Sequence, residues 1–190
     1  MKETTEVEAR NAIKVLLQYI GQDTEREGLL ETPRRVVAAL DEMTRGYGQD
    51  PKQILETAFS GEGYDQMIVC RGIEFWSMCE HHLLPFHGTA AIGYIPGKRV
   101  VGLSKMPRLL ECFARRLQIQ ERLTKEVAEA MQSVLRPKGV GVLVRARHLC
   151  MACRGVRQQN GEMVTSALLG NFREQEVRAE FLNLVECQKG

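Results

Sequence analysis

Hydrophobic periodicity changes twice along this chain, and the two changes leave few folds open. Residues 67–101 read as strands broken by turns. Ile73 to Met78 runs into the cluster Cys79–His82, and Thr89 to Ile95 stops at Pro96-Gly97. The period then becomes helical. Behind Ser104, placed to cap, Met106, Leu110, Phe113, Ala114 and Leu117 form one apolar stripe. Ile119, Leu123, Val127, Met131 and Val134 form a second, stopped by Pro137 and Gly139. Strand pattern returns over 140–157, Asn160-Gly161 reads as a hairpin turn, and 162–169 come back. Two strands, two helices and two strands predict an α+β domain built on antiparallel hairpins.

Helices are also expected upstream. Val7, Ala12, Ile13, Leu16, Leu17 and Ile20 follow helical spacing up to Gly21. Thr32 as N-cap and Pro33 as first helical residue open a second helix, expected to run to about Arg45. Residues 47–65 read as a loop with a short helix near Ile54, and Val177, Phe181 and Leu184 suggest a short final helix. The expected organisation is a helical region over 1–65 and a sheet-bearing region over 66–190, within one compact domain.

Several function classes are disfavoured by bulk properties. A net charge of +2 and a pI near 8.2 do not suggest a nucleic-acid binder. No apolar run is long enough to span a bilayer, and the polar start Met1-Lys-Glu-Thr-Thr-Glu carries no signal-peptide core, so no membrane partner and a cytoplasmic location are expected. In a reducing compartment the six cysteines are read as metal ligands or inert buried groups; Cys70, Cys112 and Cys187 are read as small buried hydrophobes.

Metal chemistry concentrates at two places. Cys79-Glu80-His81-His82 sets Cys79 and His82 close enough to share one ion across a turn, with His81 pointing elsewhere. Thiolate and imidazole suit zinc, whose catalytic sites keep one of four positions for water. On the strand from 140, Val140, Val142, Val144 and Ala146 share a core-directed face, joined by His148, Cys150 and Arg154 if the strand continues. Alternation puts Cys153 on the opposite face. A turn after Cys150 would undo that and let Cys79, His82, Cys150 and Cys153 close a structural site, the mark of a binding module.

Cations also stand where helix dipoles disfavour them. Arg34 and Arg35 open one helix, and Lys105 and Arg108 another. Such side chains ordinarily reach solvent; together with Arg154 they would also suit a triphosphate. Gln120-Glu121 opens the next helix. Its carboxylate is ordinarily dipole chemistry and is also suited to accept two N–H bonds from a purine or pterin edge.

Taken together, Glu31-Thr-Pro-Arg-Arg35, Ser77-Met-Cys-Glu-His-His82, Gly102-Leu-Ser-Lys105 with Arg108, Gln118-Ile-Gln-Glu-Arg-Leu123 and His148-Leu-Cys-Met-Ala-Cys-Arg-Gly155 resemble the GTP cyclohydrolase I family over about residues 6–186. The resemblance implies the tunnelling fold (T-fold), a ββααββ antiparallel sheet with N-terminal helices, assembled into a multi-subunit barrel, here a homodecamer of two pentamers. It implies zinc on Cys79, His82 and Cys150, and GTP as substrate. Glu121 would anchor guanine with Gln120 beside it, and Arg35, Lys105, Arg108 and Arg154 would hold the triphosphate. His148 would be the general acid at purine N7, with His81 assisting and Ser104 on the ribose side. The implied products are formate and 7,8-dihydroneopterin triphosphate, the first step of pterin and folate synthesis. Alternatives are another T-fold purine or pterin enzyme and the closed-site binding module. Ala38, one turn after Arg35, and the extra thiol Cys153 are departures from the pattern.

Overall fold

The computed structural model describes residues 4–186 and divides into two compact units, Met1–Arg45 and Gly46–Gly190. Cys187 lies outside the described residues.

In the first unit, α1 (Glu6–Tyr19) opens with a reciprocal capping box between Thr5 and Glu8. None of its residues is buried, and Val15, Leu16, Tyr19 and Ile20 face outward. Helix α2 (Thr32–Met43) buries Pro33 and Val37. Its N-cap is Glu31, one residue before the expected Thr32. The Thr32 hydroxyl donates backward to the Gly28 carbonyl (3.5 Å), so it is not spent on capping.

The second unit begins with a short helix, α3 (Pro51–Glu56), capped by Asp50. β1 (Ala58–Ser60) and β4 (Arg99–Val101) form a small antiparallel ribbon that periodicity does not announce. The main sheet is built from β2 (Ile68–Cys79), β3 (Pro85–Ile95), β5 (Leu117–Gln118), β6 (Gly139–His148) and β7 (Met163–Gly170), in the order β5-β2-β3-β6-β7. All pairs are antiparallel except β2 with β5. Between the two hairpin halves come α4 (Lys105–Ala114) and α5 (Gln120–Leu135), as the period change requires.

One sheet face holds the main core. Ile73 and Phe75, Phe86, Ala90, Ile92 and Tyr94, and Val140, Val142 and Val144 join Leu109, Leu110, Leu123, Val127 and Met131 of the two helices. The other face carries a smaller cluster, in which Phe172 and Phe181 meet Ala91 and Leu143. Phe181 belongs to α7 (Gln175–Glu186), the final helix, which contains Val177, Phe181 and Leu184. Glycine on both central strands admits these rings: a Cβ at Gly141 would stand 2.3 Å from Phe172.

Two expectations at the end of β6 are corrected. The strand stops at His148 and the chain enters a helical turn, α6 (Leu149–Ala152), so alternation does not carry on to 157. Asn160-Gly161 is not a two-residue hairpin turn, because pairing of β6 with β7 ends at Ala146↔Met163 and residues 149–162 form a long connection. Ser104 occupies the N-cap of α4 without making a side-chain capping bond.

Candidate metal centre

β2 and β3 are joined by a turn that Cys79 opens. The Cys79 N–H donates to Leu84 O (2.9 Å) and the Leu83 N–H to Cys79 O (2.9 Å), with Leu83 in the left-handed region (φ 52°). This bends the chain so that His82 folds back over Cys79, with Sγ and Nδ1 3.8 Å apart. The helical turn after β6 swings Cys150 to the same place. The ligand atoms of Cys79, His82 and Cys150 all lie within 4.8 Å of one another, and Cys153 is not in the group. Cys79 is buried, Cys150 half-buried and His82 exposed, so the cluster is rooted in the core and opens to solvent.

The chemistry of the group favours a cation. Burial pushes the Cys150 thiol above its ordinary range, and the neighbouring Cys79 sulfur pushes it further. A thiol whose ionisation is opposed by burial and by a neighbouring sulfur is relieved by a divalent ion beside it. Two sulfurs and an imidazole, three donors rather than four, fit zinc in an open site.

The turn is also anchored from behind. The Glu80 N–H donates to Gln118 O (3.1 Å), and the Glu80 carboxylate accepts from Arg122. Arg122 further donates to Gln118 Oε1 (2.9 Å) and Leu117 O (3.0 Å). The Arg122 guanidinium holds the Glu80 carboxyl below the usual carboxylate range. Neither residue was singled out from sequence, although a charged residue inside a ligand turn and another inside the α5 motif were the available signal. His81 is exposed, 3.8 Å from Glu80, with its ring nearly perpendicular to that of His82.

His148 ends β6 opposite Phe86 of β3, and their rings stack in parallel at 4.6 Å. Its Nε2 is 2.8 Å from Gln120 Oε1. Burial pulls the imidazole below its ordinary pKa, and the Glu121 carboxylate partly offsets this. Glu121 itself is exposed in the first turn of α5.

The residues expected at the triphosphate and ribose stand on several elements. Ser104, Arg108 and Arg154 are exposed and Lys105 half-buried in the second unit; Arg35 is exposed in the first. Arg34 is engaged by Glu31 at 2.6 Å. Among the other cysteines, Cys112 is fully buried as expected and Cys70 only half-buried.

Comparison with known proteins agrees along nearly the whole chain. A family profile described as GTP cyclohydrolase I matches residues 9–186. GTP cyclohydrolase 1 of Chlorobaculum tepidum is 52% identical over 176 residues, covering 92% of this chain and 79% of that protein. The corresponding proteins of Wolinella succinogenes and Porphyromonas gingivalis are 50% and 48% identical over 181 and 188 residues, each covering 95% of this chain and 97% of theirs. Among solved structures, the archaeosine synthase QueF-Like in its apo form covers 55% of this chain and 93% of its own, with a TM-score of 0.43 and 17% identity. Identity near one half with relatives from three genera, over most of each chain, leaves one conclusion: this chain belongs to the GTP cyclohydrolase I family and is an enzyme of that family.

Proposed function

We propose that this protein hydrolyses and rearranges GTP to 7,8-dihydroneopterin triphosphate and formate, using one zinc ion on Cys79, His82 and Cys150. The observation that carries the proposal is the open three-donor cluster, within 4.8 Å, in a chain that matches the family from residue 9 to 186. A zinc ion held there would supply a water acidic enough to act as a nucleophile near neutral pH, and a Lewis acid beside the purine.

The chain's own residues supply the rest. Glu121, exposed at the first turn of α5, accepts N–H bonds from the guanine edge. His148 gives a proton to the imidazole ring of the purine as that ring opens, and histidine is suited to this near neutral pH. His81 assists from the exposed side of the ligand turn, and Ser104 stands on the ribose side. Lys105, Arg108, Arg154 and Arg35 take the triphosphate, whose charge offsets the unfavourable placing of cations at helix starts.

The same reading carries the T-fold, a homodecamer of two pentamers, a cytoplasmic location and a place at the head of pterin and folate synthesis. No helix among the described residues is long and apolar enough to cross a membrane. The closed-site binding module is disfavoured, because Cys153 is exposed and stands outside the donor cluster.

Metal quantification on the purified protein beside a GTP turnover assay tests the proposal. About one zinc per chain, formate release and a pterin fluorescence are expected. GTP that binds and is recovered unchanged by zinc-loaded protein would defeat it.

A further inference from the structure

Gln120 sits at the first position of α5 and is almost wholly enclosed, at 1% exposure. Its Nε2 lies 3.1 Å from Val144 O, 3.0 Å from Met163 O and 3.1 Å from Thr165 Oγ1. Two of these partners are carbonyl oxygens, which only accept. The NH2 end of the amide therefore faces them, and the orientation of the side chain is not open to reversal.

The third partner obeys the same logic. Thr124 donates its single hydroxyl hydrogen to Gln120 O (2.7 Å). The hydroxyl of Thr165, 2.6 Å from that of Thr124, must then donate to it, which leaves Thr165 lone pairs for Gln120 Nε2. The two Nε2 hydrogens are shared among three acceptors, all on the same end of the amide. With Nε2 turned to these acceptors, Gln120 Oε1 faces His148 Nε2 at 2.8 Å. An amide oxygen only accepts, so the hydrogen of that bond belongs to the imidazole. A neutral imidazole has one N–H, and Nδ1 is therefore bare. Phe86, parallel to the ring at 4.6 Å, limits its tilt.

We infer that Gln120 is a positioning residue, which holds His148 as the Nε2–H tautomer and leaves Nδ1 as the nitrogen available to substrate. Its own amide is spent inside the protein and does not touch GTP. The Nε2 bond persists whether or not Nδ1 carries a hydrogen, so a proton passed by the ring leaves from Nδ1. The catalytic consequence rests on the cyclohydrolase reading; the tautomer does not.

Histidine-selective 15N NMR on the zinc-loaded full chain reads the tautomer directly. The chain has four histidines, and the His148 signal is assigned by its disappearance in H148N. At mildly alkaline pH the wild type is expected to show Nε2 protonated and slow to exchange, with Nδ1 unprotonated. Gln120→Met keeps the length and removes both ends of the network. It is expected to lose the protected Nε2–H signal and about 10- to 100-fold in kcat, with KM for GTP within about twofold. Thr165→Val removes one acceptor and leaves the Gln120–His148 bond. It is expected to keep the signal and kcat, and so controls for packing.

A wild-type His148 protonated on Nδ1 would overturn the inference without any variant. So would an unchanged kcat in Gln120→Met, a raised KM with kcat intact, or an equal loss in Thr165→Val. If Gln120→Met does not fold, the wild-type spectrum and Thr165→Val still decide. A wild type with the expected tautomer and no GTP turnover would sink the cyclohydrolase reading and leave the hydrogen-bond lock standing.

Discussion

A single methyl group at Gly88 is expected to strain the strand pair that carries His148. Gly88 of β3 lies opposite Ala146 of β6, two positions from the Phe86↔His148 pair. A Cβ there would stand 1.9 Å from Arg145 O and 2.7 Å from Ala146 Cα, both backbone atoms in the middle of a ladder. Contacts below 3.0 Å are essentially never seen for a real Cβ, so the strands must part by roughly 1 Å in an interior packed too densely to absorb it. Overpacking of this kind costs about 1–3 kcal/mol. Two weakened ladder bonds, at about 1 kcal/mol each, bring the expected loss for Gly88→Ala to about 3–5 kcal/mol. Urea unfolding of zinc-loaded protein at fixed concentration measures it. Gly48→Ala serves as the control, since nothing lies within 4 Å of its added Cβ. A Gly88→Ala protein within about 1 kcal/mol of that control would refute the reasoning, because it would mean the strands yield freely.

Three further outcomes are expected. Cys150→Ser loses zinc and turnover together while Cys153→Ser keeps both; metal analysis showing the reverse would favour the closed four-ligand site. Arg122→Ala, which releases Glu80 from behind the ligand turn, is expected to weaken zinc retention about 10- to 100-fold in competition with a chelator, as loss of outer partners does in other metal sites. An unchanged affinity would leave that anchor without a role. Burial lowers the pKa of His148 below 6.5 in the folded metal-free protein, so the unfolded chain takes up the proton first. Its contribution to stability is therefore complete above pH 6.5 and is lost as pH falls through the folded value. Denaturation midpoints of wild type and His148→Asn are expected to converge on acidification, and parallel profiles would contradict this.

The order of strands and helices is legible because period two and period 3.6 put apolar residues on one side of each element, and that side became the core. Val140, Val142, Val144 and Ala146 show it most cleanly. Cys79 and His82 could be paired from spacing, since three residues span a turn. Cys150 reaches the site by another route than the expected one: β6 ends at His148, and a helical turn brings the thiol round. Alternation holds only while the ladder lasts, and nothing in the sequence marks the residue at which β7 ceases to pair. Gln120 was legible as a residue beside the guanine anchor but not as a network hub. Its partners Val144, Met163 and Thr165 lie on strands far along the chain, and two of the three bonds are to backbone carbonyls, which have no sequence signature. The β1–β4 ribbon was missed because three-residue strands are too short to show a period.

Helix α1 has a well-made beginning and no buried residue. A helix of its length is barely stable by itself in water, so its winding is lent by whatever lies alongside. Deuterium uptake is expected earliest across residues 6–19, at little cost in free energy, long before α5, which buries Leu123, Val127, Ala128 and Met131. If a second copy clasps that helix, uptake there slows as the protein is concentrated. The amino-terminal segment then becomes a gauge of assembly.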